Sequence, residues 1–295
     1  MWFKNLQCYC LKDVSLIKKE ELDSLLQEIR FVAPSSLEKT RLGCVPPIDD
    51  DNALCFIDGE RVVIKFKRQD KILPAPIINE EVKQRLLLIE EQEQRKLNKS
   101  EKAKVKDDVI TELLPKAFSK NSFITVFLYL KEKLIFIDVS NKKLNEECLS
   151  LLRRALGSLP VVNMSTNKSP SLFMTELLRQ ECVHSQLDIL NEVDFMLNNQ
   201  ENSMIKIKNC VIPNDETEQA LQSGFAVGKM LLLWNDSMSF LLEHDFSIKR
   251  IKYFIEDDEQ YENNSEEMKG NYLIMLDELL SMVMFLVELC EGFSE

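Results

Sequence analysis

At 295 residues, 45% of them hydrophobic, the chain is long enough to bury a large core, and wholesale disorder is excluded. The net charge of −12 argues against a polyanionic partner until its distribution is read: residues 256–295 carry −11 of it, leaving −1 for the first 255, so a basic face elsewhere can still attract phosphate. Eight scattered cysteines, none in a C-x-x-C pair, read as reduced thiols and not as a disulfide framework.

The chain opens on an alternating segment, 2–11, that reads as a strand. Cys8 and Cys10 share one face of it but lack the partner pair that a zinc site needs. Residues 20–30 place Leu22, Leu25, Leu26 and Ile29 at helical spacing. Turn-rich stretches follow at 33–36 and 43–47. Segments 53–57 and 61–67 then flank Asp58-Gly59 as a hairpin. Pro74 and Pro76 mark a boundary. Two charged helical runs, 79–97 and 100–114, come next as an α-hairpin, with Ser100 as the expected N-cap and Pro115 as the stop.

Segments 123–130 and 134–139 form a second hairpin, and a helix over 143–156 ends at Gly157. Beyond it the pattern predicts a helix over 174–190, a strand over 204–212, a short helix over 215–222, and a hairpin of 229–234 with 238–244 around Asn235-Asp236. A strand at 248–255, an acidic loop at 256–269 and a helix at 271–290 complete the chain. In the last helix Leu273, Leu276, Leu280, Val283, Val287 and Cys290 form a heptad-like stripe, with Ile274, Met284, Phe285 and Leu289 off it. The periodicity fits either a core helix or one whose second face meets a copy of itself. The expected class is α+β, with antiparallel sheets, packed helices and a protruding α-hairpin. Three regions are expected: a central one of 1–76 plus 120–165, a hairpin of 77–119, and a C-terminal one of 166–295. No leader and no apolar run of membrane length is read, so the expected setting is cytoplasmic.

Catalytic signatures are missing. There is no G-x-G-x-x-G, no P-loop, no H-E-x-x-H and no G-x-S-x-G, and only two histidines, His184 and His244. Asp49-Asp50-Asp51, Asp107-Asp108 and Glu256 to Glu259 are runs on single segments. Adjacent side chains diverge, whereas a nuclease needs carboxylates converging on metal ions from separate elements. The expectation is a protein that is not an enzyme and uses no cofactor or metal. Bases are the positive signal. Arg95, Lys96, Lys99, Lys102, Lys104 and Lys106 gather at the expected hairpin tip, Lys116 and Lys120 follow its exit, and Lys206 and Lys208 share one strand face. Further bases lie at Lys65, Lys67, Arg68, Lys249, Arg250 and Lys252. Such rows track a phosphate backbone and do not read bases.

Several segments carry a resemblance: Trp2-Phe3-Lys4-Asn5-Leu6, Gly43-Cys44-Val45-Pro46-Pro47, Lys71-Ile72-Leu73-Pro74-Ala75-Pro76, Arg95-Lys96-Leu97, Leu114-Pro115-Lys116-Ala117-Phe118-Ser119, and the stretch from Leu151 to Val162. In their order and spacing over roughly the first 165 residues they resemble the RdgC family of recombination-associated DNA-binding proteins. The resemblance implies a homodimer closed into a ring whose basic hole encircles double-stranded DNA, nucleoid association, and restraint of RecA-driven recombination. It implies that Phe118 is an aromatic of the dimer gate, and that Arg95 and Lys116 are bases of the gate region. On residues alone Phe118 also fits a cap on the hairpin's own core. Two departures stand out. The family's basic pair followed by Gln is here Lys208-Asn209-Cys210, with one charge fewer, and Cys44 replaces the usual Trp. The expected DNA contacts are Arg95, Lys96, Lys99, Lys116, Lys120, Lys206 and Lys208. The competing expectation is a regulator that touches a recombinase and has no DNA affinity of its own.

Overall fold

The computed structural model describes residues 2–48, 52–180, 184–197, 200–254 and 265–294. Two antiparallel sheets organise them. The first contains β1 (Gln7–Leu11), β2 (Thr40–Val45), β3 (Cys55–Asp58), β4 (Arg61–Ile72), β5 (Phe118–Tyr129), β6 (Leu134–Ile137) and β7 (Val161–Asn163), in the order β2-β4-β5-β6-β1-β7. β3 lies end to end with β2 against the same edge of β4. The second contains β8 (Leu187–Leu197), β9 (Gln200–Lys208), β10 (Ala226–Trp234), β11 (Met238–Glu243) and β12 (Ile248–Tyr253), in the order β12-β11-β10-β8-β9. Seven α-helices accompany them: α1 (Lys19–Leu26), α2 (Ala75–Glu93), α3 (Lys99–Leu113), α4 (Lys142–Leu156), α5 (Pro170–Leu178), α6 (Asp215–Gln222) and α7 (Ser265–Leu289). The architecture is α+β, and no described helix is long and apolar enough to cross a membrane.

Alternation along β4 and β5 divides the core in two. Val62, Ile64, Phe66, Ile124, Val126 and Leu128 face α1 and α4 in one cluster. Val63, Phe127 and Tyr129 face the other way, into a larger cluster shared with the second sheet, α5 and α7. There Phe3 stacks on Phe127 with ring centroids 4.6 Å apart, and the Tyr129 hydroxyl donates to the Leu276 carbonyl of α7 at 2.8 Å. The buried face of α7 is Tyr272, Met275, Leu276, Leu279, Met282, Val283, Leu286 and Val287, continued by Cys290 just past its end, broader than the predicted stripe, and Leu273 and Leu280 sit at its margins. Ile274 and Met284 remain exposed.

Several local expectations are corrected. The first predicted strand splits between the sheets: Leu6 exchanges backbone hydrogen bonds with Ile248, and only Gln7–Leu11 joins the first sheet, between β6 and β7. Asp58 pairs with Arg61, so the turn residues are Gly59 and Glu60. The N-cap of α3 is Asn98, not Ser100, because its carboxamide accepts from the Glu101 N–H while the Glu101 carboxylate accepts from the Asn98 N–H. The helix predicted over 174–190 runs only from Pro170 to Leu178, and the strand β8 begins at Leu187. β9 ends at Lys208 and does not reach Ile212. Residue 255 of the predicted strand and 256–264 of the expected acidic loop lie outside the described residues, and from Ser265 the chain is already helical.

Candidate nucleic-acid interface

The predicted bases fall in three places. α2 and α3 run antiparallel, joined by Arg85 to Glu112 and by Lys102 to Glu90. No residue of α2 is buried, and α3 buries only Val109. This pair holds itself together by charge and capping more than by a core. At its far end Gln94 takes a left-handed conformation, φ 52°, and closes α2. Arg95 then grips Glu101 through two hydrogen bonds of 2.9 and 2.7 Å and meets Glu93 at 2.6 Å. The guanidinium, with the Asn98 N–H second, holds the Glu101 carboxyl down to about 2. Arg95 therefore builds the turn, and its charge is largely spent there. Lys96 and Lys99 beside it, and Lys104 and Lys106 on α3, are exposed. With 19 residues, α2 is about 28 Å long, and Lys96 and Lys99 stand at its far end.

The second group sits where the helix pair meets the sheet. Lys116, Phe118 and Lys120 are exposed, Phe118 at 84%. Phe118 does not cap a core within the helix pair. It lies opposite the exposed Ile72 on β4, and the two make a small apolar surface. Lys120 lies opposite Asp70, which Arg68 already holds through its Nε at 2.9 Å. Lys71 donates to the carbonyls of Ser36 and Leu114 at 2.8 and 2.9 Å and fastens the end of α3 to the sheet.

The third group lies on the second sheet, on the face away from the shared core. Lys206 and Lys208 stand on β9 opposite Asp194 and Glu192 of β8. Lys208 and Arg250 both bind Glu192 at 2.9 Å. Lys229 and Lys249 both bind the buried Glu243 at 2.8 Å. For Glu192 and Glu243 burial pushes the carboxyl up, but the paired ammonium and guanidinium hydrogen bonds outweigh it and each ends below the usual range. Lys206 makes no ion pair within 4.0 Å among the described residues, nor do Lys99, Lys104, Lys106 and Lys120. Lys96 and Lys116 have carboxylates nearby, Glu90 and Glu112, but no ion pair at that distance.

Two aromatic residues were not singled out by the sequence. On the face of β4 and β5 opposite Phe118, Lys65 lies over the Phe123 ring at 5.3 Å and Lys67 over the Phe31 ring at 4.7 Å. Phe123 was legible as a strand residue two places from Thr125. Phe31 was not, because it arrives from outside the sheet. Among the described residues no three or more His, Cys, Asp or Glu side chains gather as metal ligands. Cys8 and Cys10 do share a face, and burial pushes both thiols up, away from the reactive thiolate.

A family model described as "Putative exonuclease, RdgC" matches residues 1–293. Among curated proteins, the Recombination-associated protein RdgC of Proteus mirabilis (strain HI4320) is 33% identical over 301 residues, covering 100% of both chains. The protein of the same name from Actinobacillus pleuropneumoniae serotype 3 (strain JL03) is 32% identical, covering 100% of this chain and 99% of its own. That of Haemophilus influenzae (strain PittGG) is 33% identical over 100% of this chain and 97% of its own. With the match running through both sheets and all seven helices, this chain belongs to the RdgC family of recombination-associated proteins.

Proposed function

We propose that this chain binds double-stranded DNA without reading its sequence, as a homodimer closed round the duplex, and thereby restrains RecA-mediated recombination at the nucleoid in the cytoplasm. The observation that carries the reading is the contrast between its carboxylates and its lysines. The buried acids Glu192 and Glu243 are each matched by two bases, while Lys99, Lys104, Lys106, Lys120 and Lys206 stand exposed with no ion pair among the described residues. Unpaired ammonium groups release counterions when they meet phosphate, and that release drives sequence-independent binding. The protruding helix pair, with Phe118 and Ile72 at its foot, is the proposed gate, and the exposed Ile274 and Met284 of α7 are suited to a second subunit contact.

The reading is non-catalytic, in spite of the family model's description as an exonuclease. Its support is that, among the described residues, no three His, Cys, Asp or Glu side chains gather where they could hold a metal ion. End-labelled duplex incubated with the protein and magnesium or manganese is expected to stay intact, and steady release of nucleotides defeats this part. The main test is duplex affinity against salt, on a linear duplex and a sealed circle of unrelated sequence. Both are expected to bind with a log–log slope of about −4 or steeper. Lys206→Ala makes that slope shallower by about 1, whereas Lys208→Ala changes it less, because Glu192 already neutralises Lys208. No binding at low salt leaves the competing reading, a regulator acting by protein contact alone.

A further inference from the structure

The uninterrupted registers of β2, β4 and β5 put Arg41, Lys65, Lys67 and Lys71 on one face, together with Gln69, Ser119, Asn121, Phe123 and Thr125. Every charge these three strands place on that face is positive. The acids Asp70 and Glu147 lie with Arg68 on the opposite face. Near Val63 and Phe127 the basic face runs under the shared core, and beyond Thr125 it emerges into solvent.

Across this surface runs an alternating row. Lys65 lies over Phe123, Phe123 stands in register with Lys67, and Lys67 lies over Phe31. The row is built by a backbone device. The Phe31 N–H donates to the Cys44 carbonyl at 2.8 Å, so the segment after the first 3₁₀ turn (Gln27–Ile29) rides along the outer edge of β2. It passes directly over Gly43, where a Cβ would come within 2.5 Å of the Phe31 Cα. Only the missing side chain lets Phe31 lean over the sheet to Lys67. Phe123 is 43% exposed, so its ring is available to a ligand.

We infer that the Phe31–Lys67–Phe123–Lys65 row is a stacking platform for the unpaired bases of a single nucleic-acid strand. The inference rests on the DNA-binding reading and adds to it the residues that meet an unpaired strand. A duplex keeps its base faces against one another, so it can offer phosphate to the lysines but no base face to Phe123. An unpaired strand offers both. Lys65 and Lys67 are two residues apart along β4, about 6.7 Å, of the order of the phosphate repeat of an extended strand. Base–aromatic stacking tolerates any sequence, in keeping with a surface that has no base-reading helix. The charges the three strands themselves contribute here are all positive, Arg41 being paired with Glu38 from the preceding loop, and this favours a polyanion over an apolar protein partner.

The test compares full-length wild type, Phe123→Leu and Phe123→Trp by fluorescence anisotropy. The probes are a short labelled single strand, the same strand with abasic sugar-phosphate units in place of nucleotides, and the matching duplex. Phe123→Leu keeps the bulk and removes the ring. It is expected to weaken the single strand about tenfold while duplex and abasic affinities hold. Phe123→Trp restores the single strand and reports on folding. Equal losses on normal and abasic strands, no loss on either, or a changed oligomeric mass of Phe123→Leu each overturn the platform. In those cases an intact duplex affinity leaves the DNA-binding reading standing. A wild type that binds neither single strand nor duplex overturns both.

Discussion

Asp245, Glu192 and Glu243 are where single side chains set the protein's response to acid. Burial pushes the Asp245 carboxyl up, but hydrogen bonds from Ser247 and Lys142 outweigh it and hold the group near 2. Glu192 and Glu243 are lowered in the same way by their paired bases. A carboxyl whose folded pKa lies below its unfolded one stabilises the fold above the unfolded value and loses that contribution as pH falls through the folded one. Asp138 works in the opposite sense, because burial raises it in spite of the N–H groups of Lys4 and Asn5. The three lowered groups, together with exposed carboxyls lowered in the same sense such as Glu101, outweigh the one raised carboxyl and give a net loss. The urea midpoint is expected to fall steadily between about pH 5 and pH 3. Glu192→Gln with Glu243→Gln flattens that fall, and an unchanged pH profile in the double variant rules these pairs out as its source. The residue scale also shows which of the expected DNA contacts already have carboxylate partners. Arg95 and Lys208 look like their neighbours in a string of letters, but the carboxylates that engage them include Glu101, placed by a turn, and Glu192, placed by strand pairing.

At the scale of elements, Gly43 in β2 decides how closely the segment 29–31 approaches the sheet. Gly43→Ala forces a Cβ against the Phe31 backbone, with the N atom at 2.8 Å as well as the Cα, and neither contact is the end of a flexible side chain. A loss of about 1–3 kcal/mol is expected, read as a lowered thermal midpoint, and an unchanged midpoint refutes the close packing. The sequence reads Gly43-Cys44-Val45-Pro46-Pro47 as turn-rich, whereas Gly43, Cys44 and Val45 belong to β2, and what passes over Gly43 was not readable, since Phe31 comes from a turn with no periodicity. Strongly periodic elements were legible: α4 with its Gly157 stop, α6, and the β10–β11 hairpin around Asn235 and Asp236, both at positive φ. β8 was not. Its register with β10 is interrupted between the pairs of Met230 and Leu232, which breaks the alternation. Glu192 and Asp194 on its outer face are buried, so polar residues there do not mark solvent. A helical spacing carried past Leu178 then looked as good as a strand.

At the scale of the whole molecule, the two sheets share one interior, while the first keeps a second one of its own against α1 and α4. Val63 and Phe127 from the first, Phe195 and Phe240 from the second, and Leu279 and Leu286 from α7 belong to one cluster. Leu279→Ala is expected to cost about 2–5 kcal/mol and to lower a single unfolding transition seen alike by far-ultraviolet circular dichroism and tryptophan fluorescence. Two transitions that separate, with only one of them moved by the substitution, would show instead that the sheets melt independently. The place of α7 has a bearing on how the chain is made. The ribosome delivers β1 to β7 first and α7 only after all twelve strands. Until then Phe3, Phe127, Tyr129 and Tyr272's future neighbours present an uncovered apolar face. At about 5–20 residues per second, the roughly hundred residues from β7 to α7 take on the order of 5–20 s. For that interval the nascent chain is a client for a holding chaperone, and a pause in translation ahead of Ser265 becomes a hazard for aggregation in a way that a pause after Leu289 does not.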